Sequence, residues 1–202
     1  MSGTRHVLLA ALLLLHPSRA PAEILDNSFF VEEAYNQERG VVQHIQTLHW
    51  TWDRQAGRTA RAFSYGLTQE WPVGGVRHQL SYTIPYMRMF GDQPRAGGIG
   101  DIQVHYRLQA IEEDATRPAV APRLTVYVPT GDAARGLGTG TAGLEMNVPV
   151  SKKVGAFHLH LNAGATWFPD AQVTLVGGAK SPARDLFGTN LGLSSILIVS
   201  NR

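Results

Sequence analysis

His158 and His160 stand two residues apart, and Glu145 precedes them. On a strand, residues i and i+2 share a face about 7 Å apart, so both imidazoles are placed to chelate a metal with a carboxylate such as Glu145. Spacing fixes no third ligand, and lumen-facing hydrogen bonding is the simpler account, so no metal site is expected. His105 and Arg107 repeat the i, i+2 spacing and read as polar lining. The run GLGTGT at 136–141 has the glycines of a phosphate cradle, but neither the following helix nor the closing lysine of a P-loop. Ser64, Ser81 and Ser194 lack a histidine and an acid at a recognisable nucleophile spacing. The chain therefore reads as a non-enzyme without a cofactor. Arg54, Arg58 and Arg61 cluster around one connection and have the charge to attract anionic lipid headgroups; loop solubility is the plainer explanation.

The elements that position these residues are strands. Across 142–168, Leu144, Met146, Val148 and Val150 alternate with Glu145, Asn147 and Pro149; after a break, Phe157, Leu159, Leu161, Ala163, Ala165 and Trp167 alternate with His158, His160, Asn162, Gly164 and Thr166. Successive side chains on a strand point to opposite faces, so each run has one apolar and one polar face. The apolar faces coincide if paired numbers have an odd sum. A sum of 307 sets Asn147 across from His160 and leaves 152–155 as a four-residue turn.

Further strand-length segments are expected at 41–52, 60–71, 77–88, 100–110, 123–129 and 189–199, with 171–177 extending the hairpin, for about eight strands. Connections fall at 53–59, 72–76, 89–99, 111–122, 130–141 and 169–188. No helix-length amphipathic segment interrupts the strands, which argues against an α/β fold. Segment 23–40 is the exception: Asn27 or Ser28 is placed to cap a short helix ended by Gly40, as a periplasmic lead-in or a plug, with Glu32, Glu33, Glu38 and Arg39 as a solvated face.

Residues 1–22 have the features of a secretory signal. Arg5 supplies a positive start, 7–15 is an unbroken apolar run, and Ala20-Pro21-Ala22 offers a small-residue cleavage site. The run is far shorter than the roughly 20 residues of a spanning helix. Removing it takes Arg5 and Arg19 from the 18 basic residues, leaving 16 against 16 acidic ones. A formally neutral mature chain does not read as a nucleic-acid binder. The absence of cysteine excludes a disulfide scaffold and any thiolate metal site.

Whether the apolar faces meet protein or lipid decides the function. Charged residues are 17% of the chain, below the roughly 25% usual for soluble domains. Polar residues occupy every second position on long strands, and Trp50, Trp52, Trp71 and Trp167 fall near strand ends, where barrels carry aromatic girdles. The fold expected is an antiparallel up-and-down transmembrane β-barrel over 41–202, exported to the outer membrane of a Gram-negative bacterium. Gln79, Ser81, Thr83, Gln103, His105, Arg107, Glu145, Asn147, His158, His160 and Asn162 would line its interior and set the preference of a passive pore for small solutes. Its partners would be outer-membrane lipid, the solute, and the export and barrel-assembly machinery. Eight strands make a closed barrel whose interior side chains fill. A small non-conducting structural barrel and a soluble periplasmic ligand-binding barrel are the competing readings.

Four stretches carry a family resemblance: FFVEEAYNQERGVVQHI at 29–45, GGIGDIQVHYRL at 97–108, RLTVYVPTGD at 123–132, and GLGTGTAGLEMNVPVSKKVGAFHLHLNAG at 136–164. In this order, with the GIGD and PTGD signatures, the chain resembles the outer-membrane family of the MetA pathway of phenol degradation. The resemblance implies a transporter-like barrel and, for some relatives, a link to aromatic catabolism. It also implies more strands than are present and an aromatic-ended last strand, so a C-terminal truncation at Arg202 is expected.

Overall fold

The computed structural model describes residues 5–9, 31–55, 58–91, 95–172 and 181–199. Its strands are β1 (Arg5–Leu9), β2 (Gln43–Gln55), β3 (Arg58–Pro72), β4 (His78–Gly91), β5 (Ala96–Ile99), β6 (Ile102–Leu108), β7 (Ala119–Val120), β8 (Arg123–Val128), β9 (Gly143–Val154), β10 (Phe157–Ala171) and β11 (Arg184–Leu197). A single 3₁₀ turn, Ala133–Arg135, accompanies them among the described residues.

All ladders are antiparallel, in the order β1-β2-β3-β4-β6-β8-β9-β10-β11, with β5 added to β4 and β7 to β9. The eight long strands from β2 to β11 curl into a half-barrel. Among the described residues no ladder joins β11 back to β1 or β2, so the sheet has two ends. Of the expected signal, Arg5–Leu9 lies antiparallel on β2. Residues 10–22, the helix caps Asn27 and Ser28, and the hairpin extension at 173–177 lie outside the described residues.

Three expectations need correction. The β9–β10 register sums to 311: Val154 pairs with Phe157, Asn147 with Gly164 and His160 with Ser151. The turn is only Gly155 and Ala156, and Gly155 at φ +61° supplies the left-handed first position that a type II′ turn requires. Tightening the turn extends the ladder, and an odd sum keeps the predicted faces. Several connections are also shorter than expected, because main-chain pairing continues after the hydrophobic alternation has faded. Residues 53–55 and 58–59 are strand, β5 lies within 89–99, β7 within 111–122, and β10 and β11 extend into 169–188. Finally, 31–40 is not helical; it is irregular, with bends at Val31 and Ala34 and a turn at Arg39 and Gly40.

The distribution of burial is inverted relative to a water-soluble domain. Gln79, His105, Thr125, Ser151, His158 and His160 are each at most 5% exposed, whereas Met146 is 58%, Leu193 75% and Leu191 79% exposed. Among the described residues the buried apolar ones are few and mostly small: Val31, Ala34, Ala96, Ala119, Ala121, Leu137 and Ala171. Among the described residues, a sheet of this length that buries its polar face and exposes its leucines has only a small alanine cluster where a water-soluble domain of this size packs a large apolar core. Its order comes from main-chain ladders and from a polar network on the concave side.

Candidate functional site

The concave face is occupied by the chain's own segment 31–37. It touches β4, β6, β9, β10 and β11, which only a segment crossing the hollow of the half-barrel can do. Lacking a ladder, it draws its main-chain bonds from side chains of the sheet. Ala34 N donates to Ser151 Oγ (2.9 Å), Asn36 N to Gln109 Oε1 (3.1 Å) and Gln37 N to Gln79 Oε1 (2.7 Å). Gln109 Nε2 donates to Ala34 O (2.7 Å), and Arg107 donates to the carbonyls of Glu33 (3.3 Å) and Tyr35 (2.6 Å). The Asn162 carboxamide, in the orientation that satisfies both its atoms, donates to Glu32 O and accepts from Glu32 N. A buried peptide group without a partner is costly, so these side chains account for the path the segment takes.

Charge runs through the same network. Glu32 Oε1 lies 3.1 Å from Arg107 Nη1 and Oε2 lies 3.0 Å from Arg123 Nη1; Arg123 Nη2 reaches Glu145 Oε1 at 3.2 Å. Glu145 also accepts from Tyr127 (2.7 Å) and Thr166 (3.2 Å), and Asn147 Nδ2 donates to Glu32 Oε2 (3.0 Å). Two guanidiniums alternate with two carboxylates, so the half-buried ladder is formally neutral and each charge is offset by a neighbour. Glu32 thus differs from the solvated face expected of it. Beside the ladder is a polar cleft of about 480 Å³, bordered by Val31, Glu32, Arg123, Glu145, Asn147, Asn162, Thr166 and by Thr189 and Asn190 of β11.

The other expected lining residues lie on this concave side. Ser81 is buried, and Gln103 is half-buried, paired with Thr83. Thr83 bonds Thr68 (2.7 Å) and His105 Nε2 (3.1 Å), while His105 Nδ1 meets Thr125 Oγ1 at 2.8 Å. His160 Nδ1 meets Ser151 Oγ at 2.7 Å, and its ring packs edge-on to Tyr35. His158 is 2% exposed, and its Nε2 has no hydrogen-bond partner among the described residues. Glu145 lies six residues along β9 from Ser151, the partner of His160. That is about 20 Å of strand, so the histidine pair and Glu145 do not share a site. Gln109, Thr125 and Ser151 belong to the same face but were not singled out by sequence, although the alternation includes them. Glu32 and Asn36 had no such signal.

The glycine motifs tie loops together at the opposite end from the tight Gly155 turn. Asp101 of GIGD accepts from Gly131 N (3.0 Å), Thr139 N (2.8 Å) and Thr139 Oγ1 (2.9 Å). A Cβ on Gly138 would lie 2.3 Å from Asp101 Oδ1, and one on Gly131 would lie 2.3 Å from Leu137 O. Both ends of the 129–142 loop close on this one carboxylate only because both positions are glycine.

Trp50, Trp52 and Trp167 are exposed on the convex face towards this loop end. Trp71 stands near the other end of β3, edge-on to Tyr82 at 5.9 Å.

An all-antiparallel curled sheet with a polar concave face, an apolar convex face and an internal segment defines a barrel-like β protein with its polarity turned inward. Residues 34–176 match the model of the family described as the MetA-pathway of phenol degradation, and the chain belongs to that family. No curated protein matches the chain.

Proposed function

We propose that the protein is an exported outer-membrane β-barrel whose polar interior admits small solutes, aromatic ones among them, passively and without a cofactor or an enzymatic step. The observation that carries this reading is the inverted burial: hydrogen-bonding groups inside, leucine and valine outside. The spacing of the aromatic residues supports it. From Arg61, beside Trp52, to Trp71 is ten residues of β3, about 33 Å of strand. Tilted by about 40°, that strand spans about 25 Å, the height of the apolar band of such barrels.

In hydrocarbon an unpaired strand edge costs several kcal/mol per exposed main-chain group. The membrane-resident form therefore pairs the two ends of the sheet with further strands. Its resting interior is obstructed by 31–37, and among the described residues the cleft beside Glu32 and Arg123 offers space for a solute. The family description gives the aromatic class its place in this proposal; the polar lining selects for solutes with a hydrogen-bonding group.

Fractionation and planar-bilayer recording together test the reading. The expected result is extraction only by detergent, heat-modifiable gel migration, and a conductance that rises when Arg107→Ala frees the internal segment. Recovery from the soluble periplasm without detergent contradicts the membrane location. A folded, membrane-inserted protein that never conducts contradicts the pore and leaves a structural barrel.

A further inference from the structure

On the convex face of β2, β3 and β4, two successive rungs at the loop end each combine two aromatic residues with one arginine. The first is Trp52, Arg61 and Phe90; the second is Trp50, Phe63 and Arg88. The arginines exchange strands between rungs and are diagonal neighbours, about 7–8 Å apart at the backbone. Arg61 Cζ lies 5.1 Å from the Trp52 ring centroid, Arg88 Cζ lies 5.9 Å from that of Phe90, and the rings of Trp50 and Phe90 are 5.5 Å apart. Arg54, opposite Thr59, is the next outward residue on β2. All three arginines are exposed, and none joins an ion pair among the described residues.

The other end of these strands is different. Its outward positions hold His44, Gln69, Trp71, His78 and Tyr82, without lysine or arginine. Tyr82 donates to Gln69 (2.5 Å), so the polar groups there bond to one another. Among the described residues of these three strands, the arginines without an ion-pair partner therefore all stand at one rim of the apolar face, while Arg77 lies in the turn at the other end.

We propose that Arg61 and Arg88, with Arg54 beside them and Trp52 and Phe90 as flanking rings, bind the phosphate of an anionic lipid headgroup at the loop end of the barrel. The inference rests on the membrane reading above. An arginine on the lipid face is costly at mid-bilayer but nearly free at the interface, where tryptophan also concentrates. Each guanidinium presents a planar fork that matches phosphate oxygens, and stacking on a ring holds the fork in place. A diagonal pair converges on one phosphate from two strands, while acyl chains cover the leucines and valines below. Arg58, grouped with these residues in the sequence, begins β3, and its side chain lies outside the described residues.

Tryptophan quenching by brominated lipid tests the assignment. The full chain is inserted into phosphatidylcholine vesicles containing a minor fraction of brominated phosphatidylglycerol or, separately, of brominated phosphatidylcholine. The wild type is expected to favour the anionic lipid about tenfold, two arginines contributing about a factor of several each. The double variant Arg61→Gln/Arg88→Gln is expected to lose the preference while keeping heat-modifiable migration, and Arg61→Lys/Arg88→Lys to retain part of it. Equal quenching by both lipids in the wild type, or an unchanged preference in the glutamine variant, overturns the headgroup site and leaves the membrane reading intact. Loss of the preference on adding inorganic phosphate at constant ionic strength overturns the lipid as the occupant. Absence of quenching by either lipid overturns the membrane reading itself.

Discussion

Arg107 Nη1 lies 3.1 Å from Glu32 Oε1, which makes the end of β6 and the segment ahead of β2 parts of one ion pair. The same carboxylate holds Arg123 at 3.0 Å. A barrel interior is commonly described by its strands alone, yet here the charge balance of the strands depends on a residue outside them. Glu32→Ala would leave a buried Arg107 and a partly buried Arg123 with Glu145 alone to offset them. Breaking a buried pair from one side costs about 3 kcal/mol or more. Urea unfolding of the variant in detergent is expected to show a loss of that order, and limited proteolysis should cut 31–40 faster. Glu32→Gln, which keeps hydrogen-bonding capacity, should fall between. Unchanged stability in Glu32→Ala would mean that the ladder does not hold the segment.

The segment has a second anchor in the 111–118 turn, and this one depends on pH. Burial raises the Glu113 carboxyl, but hydrogen bonds from the Tyr35 hydroxyl (2.5 Å) and Lys153 N (2.7 Å), with the Lys152 ammonium beside it, outweigh burial and hold it below its usual value of 4.5. A carboxyl lowered in the folded state contributes stability above its unfolded pKa and loses it as pH falls through the folded one. The Tyr35 tether should therefore be intact at neutral pH, weaken below about 4.5 and be gone once the lowered folded-state pKa is passed. Hydrogen exchange of 34–37 against pH checks this. Glu113→Gln should flatten the profile in that window, and a profile identical to wild type would remove Glu113 as the cause.

Asp101 is expected to govern the loop end. Asp101→Ala leaves Gly131 N and Thr139 N without their acceptor, at about 1–3 kcal/mol for a group left unsatisfied. Gly138→Ala should be at least as damaging, because the new methyl group meets the carboxylate at 2.3 Å. Exchange protection across 129–142 should fall in both variants, with the β9–β10 ladder unaffected. Loss of protection throughout β9 and β10 would show instead that the loops and the hairpin unfold together.

How much of this was legible follows from the period of each signal. The alternation that places His105 with Arg107, and His158 with His160, needs no tertiary information, and it assigns faces correctly even where the β9–β10 register was wrong. The register itself turned on Gly155, whose left-handed φ permits a two-residue turn that spacing could not distinguish from a longer one. Strand ends such as Asp53 and Arg184 were lost because hydrogen-bonded pairing outlasts hydrophobic alternation. Glu32 was the least legible residue: EEAYNQERG has the composition of a solvated segment, and its path is held by Gln79, Arg107, Ser151 and Asn162 on four separate strands and by Gln109 just past β6.

Spin-label accessibility along β10 tests the central claim most directly. The chain has no cysteine, so each cysteine introduced from Phe157 to Trp167 carries the sole label. In lipid vesicles, labels at 157, 159, 161, 163, 165 and 167 should be readily relaxed by membrane-dissolved oxygen and shielded from a water-soluble nickel reagent. Labels at 158, 160, 162, 164 and 166 should show low oxygen accessibility. An opposite phase, or odd positions open to nickel along the whole strand, would contradict the proposal that the apolar convex face is solvated by lipid.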